Sequence, residues 1–266
     1  MLAGGGPVYI VENDTNGGFL VTIQPTFLLI ADIGGYTRFM KMHRMSLVHA
    51  QDIVARLLEA VIDATRSRLK LSKLEGDAAF FYLNYPQGTE PALAFVAEQV
   101  GDIYRAFHMR LADLEANGLC MCDACEQVGN LKIKFVGHFG EAAVQKVKKL
   151  TELAGVDVIL VHRLLKNDVP VTEYFLMTDP VLQRVDSSIR ERVSTLEMDL
   201  EGLGKTDTFF MDLERYAGDL PISLRLPLPV RIGRFMKQGF RSFPYLLGLR
   251  KPLAGFRNVD VTRYGK

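Results

Sequence analysis

Phe27-Leu-Leu-Ile-Ala-Asp-Ile-Gly-Gly-Tyr-Thr37 reads as a buried strand that ends on a carboxylate and then turns through two glycines. The run from Thr26 to Ala31 is short, nearly all apolar and bounded by Pro25 and Gly34, which fits a strand covered on both faces. Asp32 closes it. Gly34-Gly35-Tyr36-Thr37 follows, a loop whose glycines let backbone N–H groups approach a phosphate before the next helix begins.

The flanking segments define the topology. Leu47, Val48, Ile53, Val54, Leu57, Leu58, Val61 and Ile62 recur at helical spacing and predict an amphipathic helix over 46–69. Leu71–Glu75 and Ala78–Leu83 read as short strands, and Gly76-Asp77 between them signals a tight hairpin. A second helix is expected from Pro91 to about Ala116. Leu131, Ile133, Phe135, Gly137 and Phe139 then alternate with Lys132, Lys134, Val136 and His138, the period of a strand. Ala142–Val147 is expected to pair back with that strand. The order β-α-β-β-α-β marks an α+β, ferredoxin-like fold. A helix near 155–167, a strand at Tyr174–Met177 and a hairpin over 195–213 extend it.

This topology brings two distant carboxylates together. The crossover helix makes the first two strands parallel, and the third strand fills the gap between them, antiparallel to both. The end of the first strand therefore lies beside the start of the third, and Asp32 meets Asp77. Two carboxylates held close repel unless a cation neutralises them. Mg²⁺ takes oxygen ligands and leaves positions open for phosphate, and two such ions can clamp an in-line displacement at phosphorus.

The 266 residues carry a net charge of +1, which gives no bulk electrostatic pointer to nucleic acid. The charge is uneven: residues 218–266 hold ten Lys/Arg against two Asp/Glu. Three domains are expected: an irregular lead-in over 1–25, a folded domain over 26–217 and a basic amphipathic tail over 218–266. In the tail Arg231, Arg234, Lys237 and Arg241 recur at helical spacing among Ile232, Phe235, Met236 and Phe240. That pattern fits either an anionic membrane surface or packing on the domain itself. No signal peptide and no membrane-spanning run is read, and the expected location is cytoplasmic. Cys120, Cys122 and Cys125 lie close enough to share a structural zinc, for which His108 or His138 would supply the fourth ligand; free thiols in a loop are the alternative. His43, His49 and His162 fall on helical patterns and read as surface or internally bonded residues. No Walker loop, Rossmann fingerprint or Ser/His/Asp motif is present.

Residues 27–37 resemble the opening motif of class III adenylyl and guanylyl cyclases: an apolar strand, Asp, Ile, any residue, Gly, an aromatic residue and Thr. Lys73-Leu-Glu-Gly-Asp77 looks like that family's second motif. Leu153–Leu164 is similar to its Gly…Asn…Arg helix, with Gly155 and Arg163 in place, and Leu196–Leu213 to its last hairpin. The whole pattern, with its Cys-x-Cys-x-x-Cys insert, also resembles an uncharacterised bacterial family of cyclase-like domains. The resemblance implies two Mg²⁺ or Mn²⁺ ions on Asp32, the Ile33 carbonyl and Asp77. It implies a purine nucleotide, ATP favoured, read by Lys73 and Glu152, with Gly34, Gly35, Tyr36 and Thr37 along the phosphates. It also implies a homodimer in which Arg163 assists from the partner chain, with cAMP as the product. The sequence departs from the family where the sugar-positioning Asn is Ile159, and where phosphate-binding lysines fall near Glu201 and Leu203 while Lys205 is displaced. A nucleotide-sensing pseudo-cyclase and a peripheral membrane adaptor on the same fold are the alternatives.

Overall fold

A computed structural model describes residues 21–42, 47–65, 68–89, 91–118, 127–147, 150–216, 218, 220, 223–234 and 236. The lead-in over 1–20, the three cysteines, His43 and the tail beyond Met236 lie outside the described residues. The elements are β1 (Val21–Gly34), α1 (Tyr36–Met42), α2 (Leu47–Asp63), β2 (Lys70–Glu75), β3 (Ala78–Asn84), α3 (Phe95–Asn117), β4 (Lys132–Val147), β5 (Leu150–Ala154), α4 (Val156–Arg163), β6 (Tyr174–Thr178), β7 (Ser194–Leu200) and β8 (Gly204–Asp212). Short helical turns occupy Asp179–Leu182, Ser187–Arg190 and Leu213–Tyr216.

The strands form one eight-stranded sheet in the order β2-β3-β1-β4-β6-β8-β7, with β5 paired to β4. β4 and β6 run parallel; the remaining neighbours are antiparallel. The first four strands are the ferredoxin-like core expected from the element order, with β3 between β1 and β2. β1 is central, and Phe27 through Ala31 are buried on both faces, which is why that run carries no polar alternation. It extends beyond the expected span and includes Pro25. Proline is tolerated there because β3 pairs with β1 only from Thr26 onward, so no N–H is needed on that side.

Alternate residues of the sheet feed two cores. Phe27, Leu29, Ala31 and Ile33 pack under α2 and α3, whose buried stripes include Ile53, Val54, Leu57 and Val61, and Val96, Val100, Ile103 and Phe107. Leu28, Ile30, Phe80, Val136 and Leu176 face the other way, under Val158 and Val161 of α4. Gly137 lets β6 come close: a Cβ there would stand 2.8 Å from the Phe175 ring.

One expectation is corrected. Ala142–Val147 does not fold back but continues β4, pairing with Val21–Gln24 of β1 through Val144 and its neighbours. β5 is the strand that returns, with Ala143 opposite Ala154. Both arrangements have period two, so alternation alone does not separate them.

A polar knot lies within the α2/α3 side. Glu173 is 1% exposed. It accepts from Tyr104 Oη at 3.2 Å and from the Ile133 backbone N–H at 2.9 Å, and its other contact is His108 Nε2 at 2.9 Å. Burial pushes the Glu173 carboxyl up, but the bonds from His108 and Ile133 outweigh it and hold the group below its ordinary range.

Candidate functional site

The Gly76-Asp77 turn joins β2 to β3, and Gly76 takes φ +70, a conformation that favours glycine. It sets Asp77 one position before Ala78, which pairs with Asp32 at the end of β1. The Ile33 N–H donates to the Asp77 carbonyl at 3.2 Å, locking the turn to the strand end. The two carboxylates expected to meet therefore do. Burial, and then the charge of Asp32, raise the Asp77 carboxyl from 3.8 to about 6.

The third member of the cluster was missed in the sequence. Lys134 of β4 stands opposite Asp32 in the register, and its Nζ lies 3.1 Å from Asp32 Oδ2. The available signal was the alternation of β4, which places Lys134 on the polar phase of the strand. Gly35 turns the chain at φ +84 and its carbonyl accepts from the Phe39 N–H at 2.9 Å, so α1 opens at Tyr36 and Thr37 immediately after the strand end. Tyr36 Oη accepts from Gln51 Nε2 at 3.1 Å.

This donor set suits a hard cation. Asp32 and Asp77 offer carboxylate oxygens, and burial, with the charge of Asp32 second, raises Asp77 to about 6, a cost that a bound cation would relieve. No group of three or more His, Cys, Asp or Glu is placed to hold a metal ion among the described residues. The pair would leave positions open, as Mg²⁺ bound to phosphate requires.

A second cluster sits between β2 and α4. Lys73 Nζ lies 3.2 Å from Glu75 Oε1 and 3.9 Å from Glu152 Oε2, so the two residues expected to read a base are neighbours. His162 of α4 reaches Glu75 through Nε2 at 3.0 Å, and its Nδ1 lies 2.7 Å from the Val158 carbonyl. Burial pushes Glu75 up, but bonds from His162 and Lys73 outweigh it and hold the carboxyl below its ordinary range. His162 and Glu75 were not foreseen as members of this cluster. Among the described residues, no ion pair joins it to Asp32 and Asp77.

α4 begins at Gly155, whose φ of +139 few side-chain-bearing residues adopt. The helix presents Ile159, 51% exposed, at the surface. Arg163 is engaged: its guanidinium donates to Glu201 Oε2 at 2.9 Å. Lys205 pairs with Glu197 at 2.8 Å, away from Arg163.

Cys120, Cys122 and Cys125 lie outside the described residues. Both histidines proposed to join them are committed elsewhere: His108 to Glu173, and His138 to Thr178 Oγ1 at 2.7 Å with Asp157 Oδ1 3.1 Å from its other nitrogen. No helix among the described residues is long and apolar enough to cross a membrane.

Residues 54–174 match the family described as "Protein of unknown function (DUF2652)". The uncharacterized protein Rv2561/Rv2562 of Mycobacterium tuberculosis is 46% identical over 209 residues, which cover 77% of this chain and 94% of that protein. Among solved structures, a class III adenylyl cyclase-like ATP-binding protein from Pseudomonas aeruginosa superposes with a TM-score of 0.52 at 16% identity, over 65% of this chain and 37% of that one. The catalytic core of a rhodopsin-guanylyl cyclase with converted specificity, in complex with ATPalphaS, gives 0.51 at 18% identity, over 72% and 98%. An adenylate cyclase from Trypanosoma brucei gives 0.50 at 16%, over 76% and 95%. At such identities the likeness is one of fold, and the fold is that of the class III nucleotide-cyclase catalytic domain. The sequence kinship is to the mycobacterial protein, and the chain belongs to the family of Rv2561/Rv2562.

Proposed function

We propose that this protein binds a metal-bound purine nucleoside triphosphate, ATP in the first place, at a site shared between two copies of the chain. The observation that carries the reading is the Asp32–Asp77 pair at the end of β1, with Asp77 raised to about 6 beside a partly covered carboxylate. Asp32, Asp77 and the Ile33 carbonyl would hold Mg²⁺ or Mn²⁺, which would draw charge from the phosphates. Lys134 would move from Asp32 to a phosphate oxygen, and Gly34 to Thr37 would lie along the phosphate chain. Lys73 and Glu152 would recognise the base. Pairing of chains is supported by α4, which leaves Val156 and Ile159 63% and 51% exposed. A second copy would cover that surface and bring Lys73, Glu152 and Arg163 of one chain toward Asp32 and Asp77 of the other.

In the active reading the ribose 3′-oxygen bonds to the α-phosphorus, its proton is lost and pyrophosphate leaves, giving cAMP. Arg163 would stabilise charge on the transferring phosphorus once freed from Glu201. A second reading, nucleotide sensing without turnover, is favoured by Ile159, which offers no hydrogen bond to a sugar, and by the Arg163–Glu201 pair. Both share one test. Melting of the full chain is followed with Mn²⁺ and ATP together, with each alone, and in Asp32→Ala, while cyclic nucleotides are assayed by mass spectrometry. Both readings require a rise in melting temperature that needs metal and nucleotide together and is absent from Asp32→Ala. Cyclic product from the wild type alone selects the enzyme, stabilisation without product selects the sensor, and no stabilisation in the wild type refutes both.

A further inference from the structure

Residues 223–234 run along the C-terminal end of α3 and are fixed there by polar contacts. Asn117 donates to the Leu224 carbonyl at 3.3 Å and accepts from the Leu226 N–H at 2.7 Å. The Arg231 guanidinium, 8% exposed, donates to the Gly118 carbonyl at 3.1 Å. Arg234 pairs with both Asp113 oxygens at 3.2 and 3.1 Å. Of the two readings of the tail, packing on the domain thus describes its first part.

The arginines, not the apolar residues, make that contact. Residues 228–234 and 236 are helical. Positions four apart share a helix face, so Leu228, Ile232 and Met236 form one stripe, and Arg231 and Arg234 lie on another. The arginines face α3. The stripe faces away, with Leu228 57%, Ile232 46% and Met236 53% exposed, and Leu224, 84% exposed, lies just ahead of it. A surface helix ordinarily buries its apolar face against the core. Here the contacts with Asp113 and Gly118 hold the opposite orientation, and the apolar stripe remains to be covered by another surface.

Charge indicates which surface. Arg225 is exposed beside the stripe. Residues 237–266 carry seven Lys/Arg against one Asp, interspersed with Phe240, Phe243, Tyr245, Leu246 and Leu249. A second copy of so basic a segment would repel the first, and the segment laid back over Arg225 would meet its own sign of charge. A bilayer rich in anionic lipid offers negative charge and apolar depth at once, without demanding a fixed polar geometry.

We propose that Leu224, Leu228, Ile232 and Met236 dock the domain on an anionic phospholipid surface. These side chains enter the boundary between headgroups and acyl chains, Arg225 meets the headgroups, and the net positive charge of the sequence from 237 to 266 adds to the attraction. This does not depend on nucleotide binding. The test is co-sedimentation of the full chain with phosphatidylcholine vesicles, with and without phosphatidylserine, for the wild type and for the double variant Ile232→Asp/Met236→Asp. Both substituted positions are exposed, and circular dichroism confirms that the variant is folded. The wild type is expected to pellet only with the anionic vesicles, to be released by high salt as the polybasic attraction is screened, and to lose pelleting in the double variant. A wild type that stays in the supernatant with both vesicles overturns the proposal, as does a variant that pellets equally well. A wild type that is free of vesicles but dimeric, with a monomeric variant, overturns it in favour of a second copy on the stripe.

Discussion

Asp77 is where the sequence places a charge that the fold makes costly. The folded state holds its proton to about pH 6, the unfolded chain only to about 3.8. The folded state therefore binds more protons across that window, and stability falls as pH rises from about 4 to 6 and stays lower above it. Asp77→Asn removes the penalty. It is expected to stabilise the metal-free protein at pH 7.5 by about 1 kcal/mol, a full shift having been discounted for solvent screening at a half-exposed position, and to leave stability at pH 4 nearly unchanged. Urea unfolding at the two pH values checks this, and equal effects at both would refute it. Ile159 poses the opposite case, an apolar side chain 51% exposed at the surface, where the resemblance to the cyclases implies an Asn. Ile159→Asn is expected to change stability by less than about 0.5 kcal/mol, as exposed substitutions usually do. If the sugar-positioning group is what limits turnover, the same change raises cyclic-nucleotide formation by up to about a hundredfold, the scale of one misplaced contact. An unchanged rate would leave the sensing reading.

Elements were legible in the sequence to the extent that their periods are unlike. The stripes of α2 and α3 repeat at helical spacing, and the uninterrupted apolar run of β1 announces a strand buried twice over, so the core topology and the Asp32–Asp77 meeting followed directly. The continuation of β4 did not, because a strand that goes on and a strand that returns alternate alike, and no Gly or Pro marks the reversal between Val147 and Leu150. Lys134 escaped notice as a site residue for a related reason: its place opposite Asp32 is a property of register between distant strands, not of either strand alone. Glu173, just ahead of β6, was not singled out in the sequence and is a buried partner of Tyr104, His108 and the Ile133 N–H. α4 is the element on which the second cluster depends, and its start is the vulnerable point. Gly155→Ala would set a Cβ 3.3 Å from the Glu141 carbonyl at φ +139. A destabilisation of about 1–3 kcal/mol is expected in thermal or urea melts, with a loss of nucleotide response larger than stability alone explains, since Lys73 and Glu75 are held through His162.

Across the whole molecule the titrating carboxylates pull in two directions. Glu75, Asp157 and Glu173 are held below their ordinary ranges, so the stability they contribute is complete above about pH 5 and is lost as pH falls through their lowered values. Asp77 acts oppositely and lowers stability from about pH 4 to 6, while His49, whose pKa burial lowers, adds stability as pH rises toward 6.5, so the Asp77 contribution is read as the difference between the wild type and Asp77→Asn. The advantage of Asp77→Asn over the wild type should grow from about pH 4 to 6 and then level off, and an advantage that does not change with pH would contradict the assignment. Glu173→Ala strands Tyr104, His108 and the Ile133 N–H in the interior and should cost about 3–5 kcal/mol, read as a lower urea midpoint with unchanged slope. The pairing of Asp32 with Lys134 joins positions about a hundred residues apart. Chain emerging from the ribosome therefore carries both carboxylates long before it carries their lysine, and β1 waits with one edge uncovered until β4 is made. The two carboxylates are exposed during synthesis and meet their lysine only when about half of the chain has been translated, so the first moment at which the proposed site could take a ligand is set by the progress of translation and not by ligand supply.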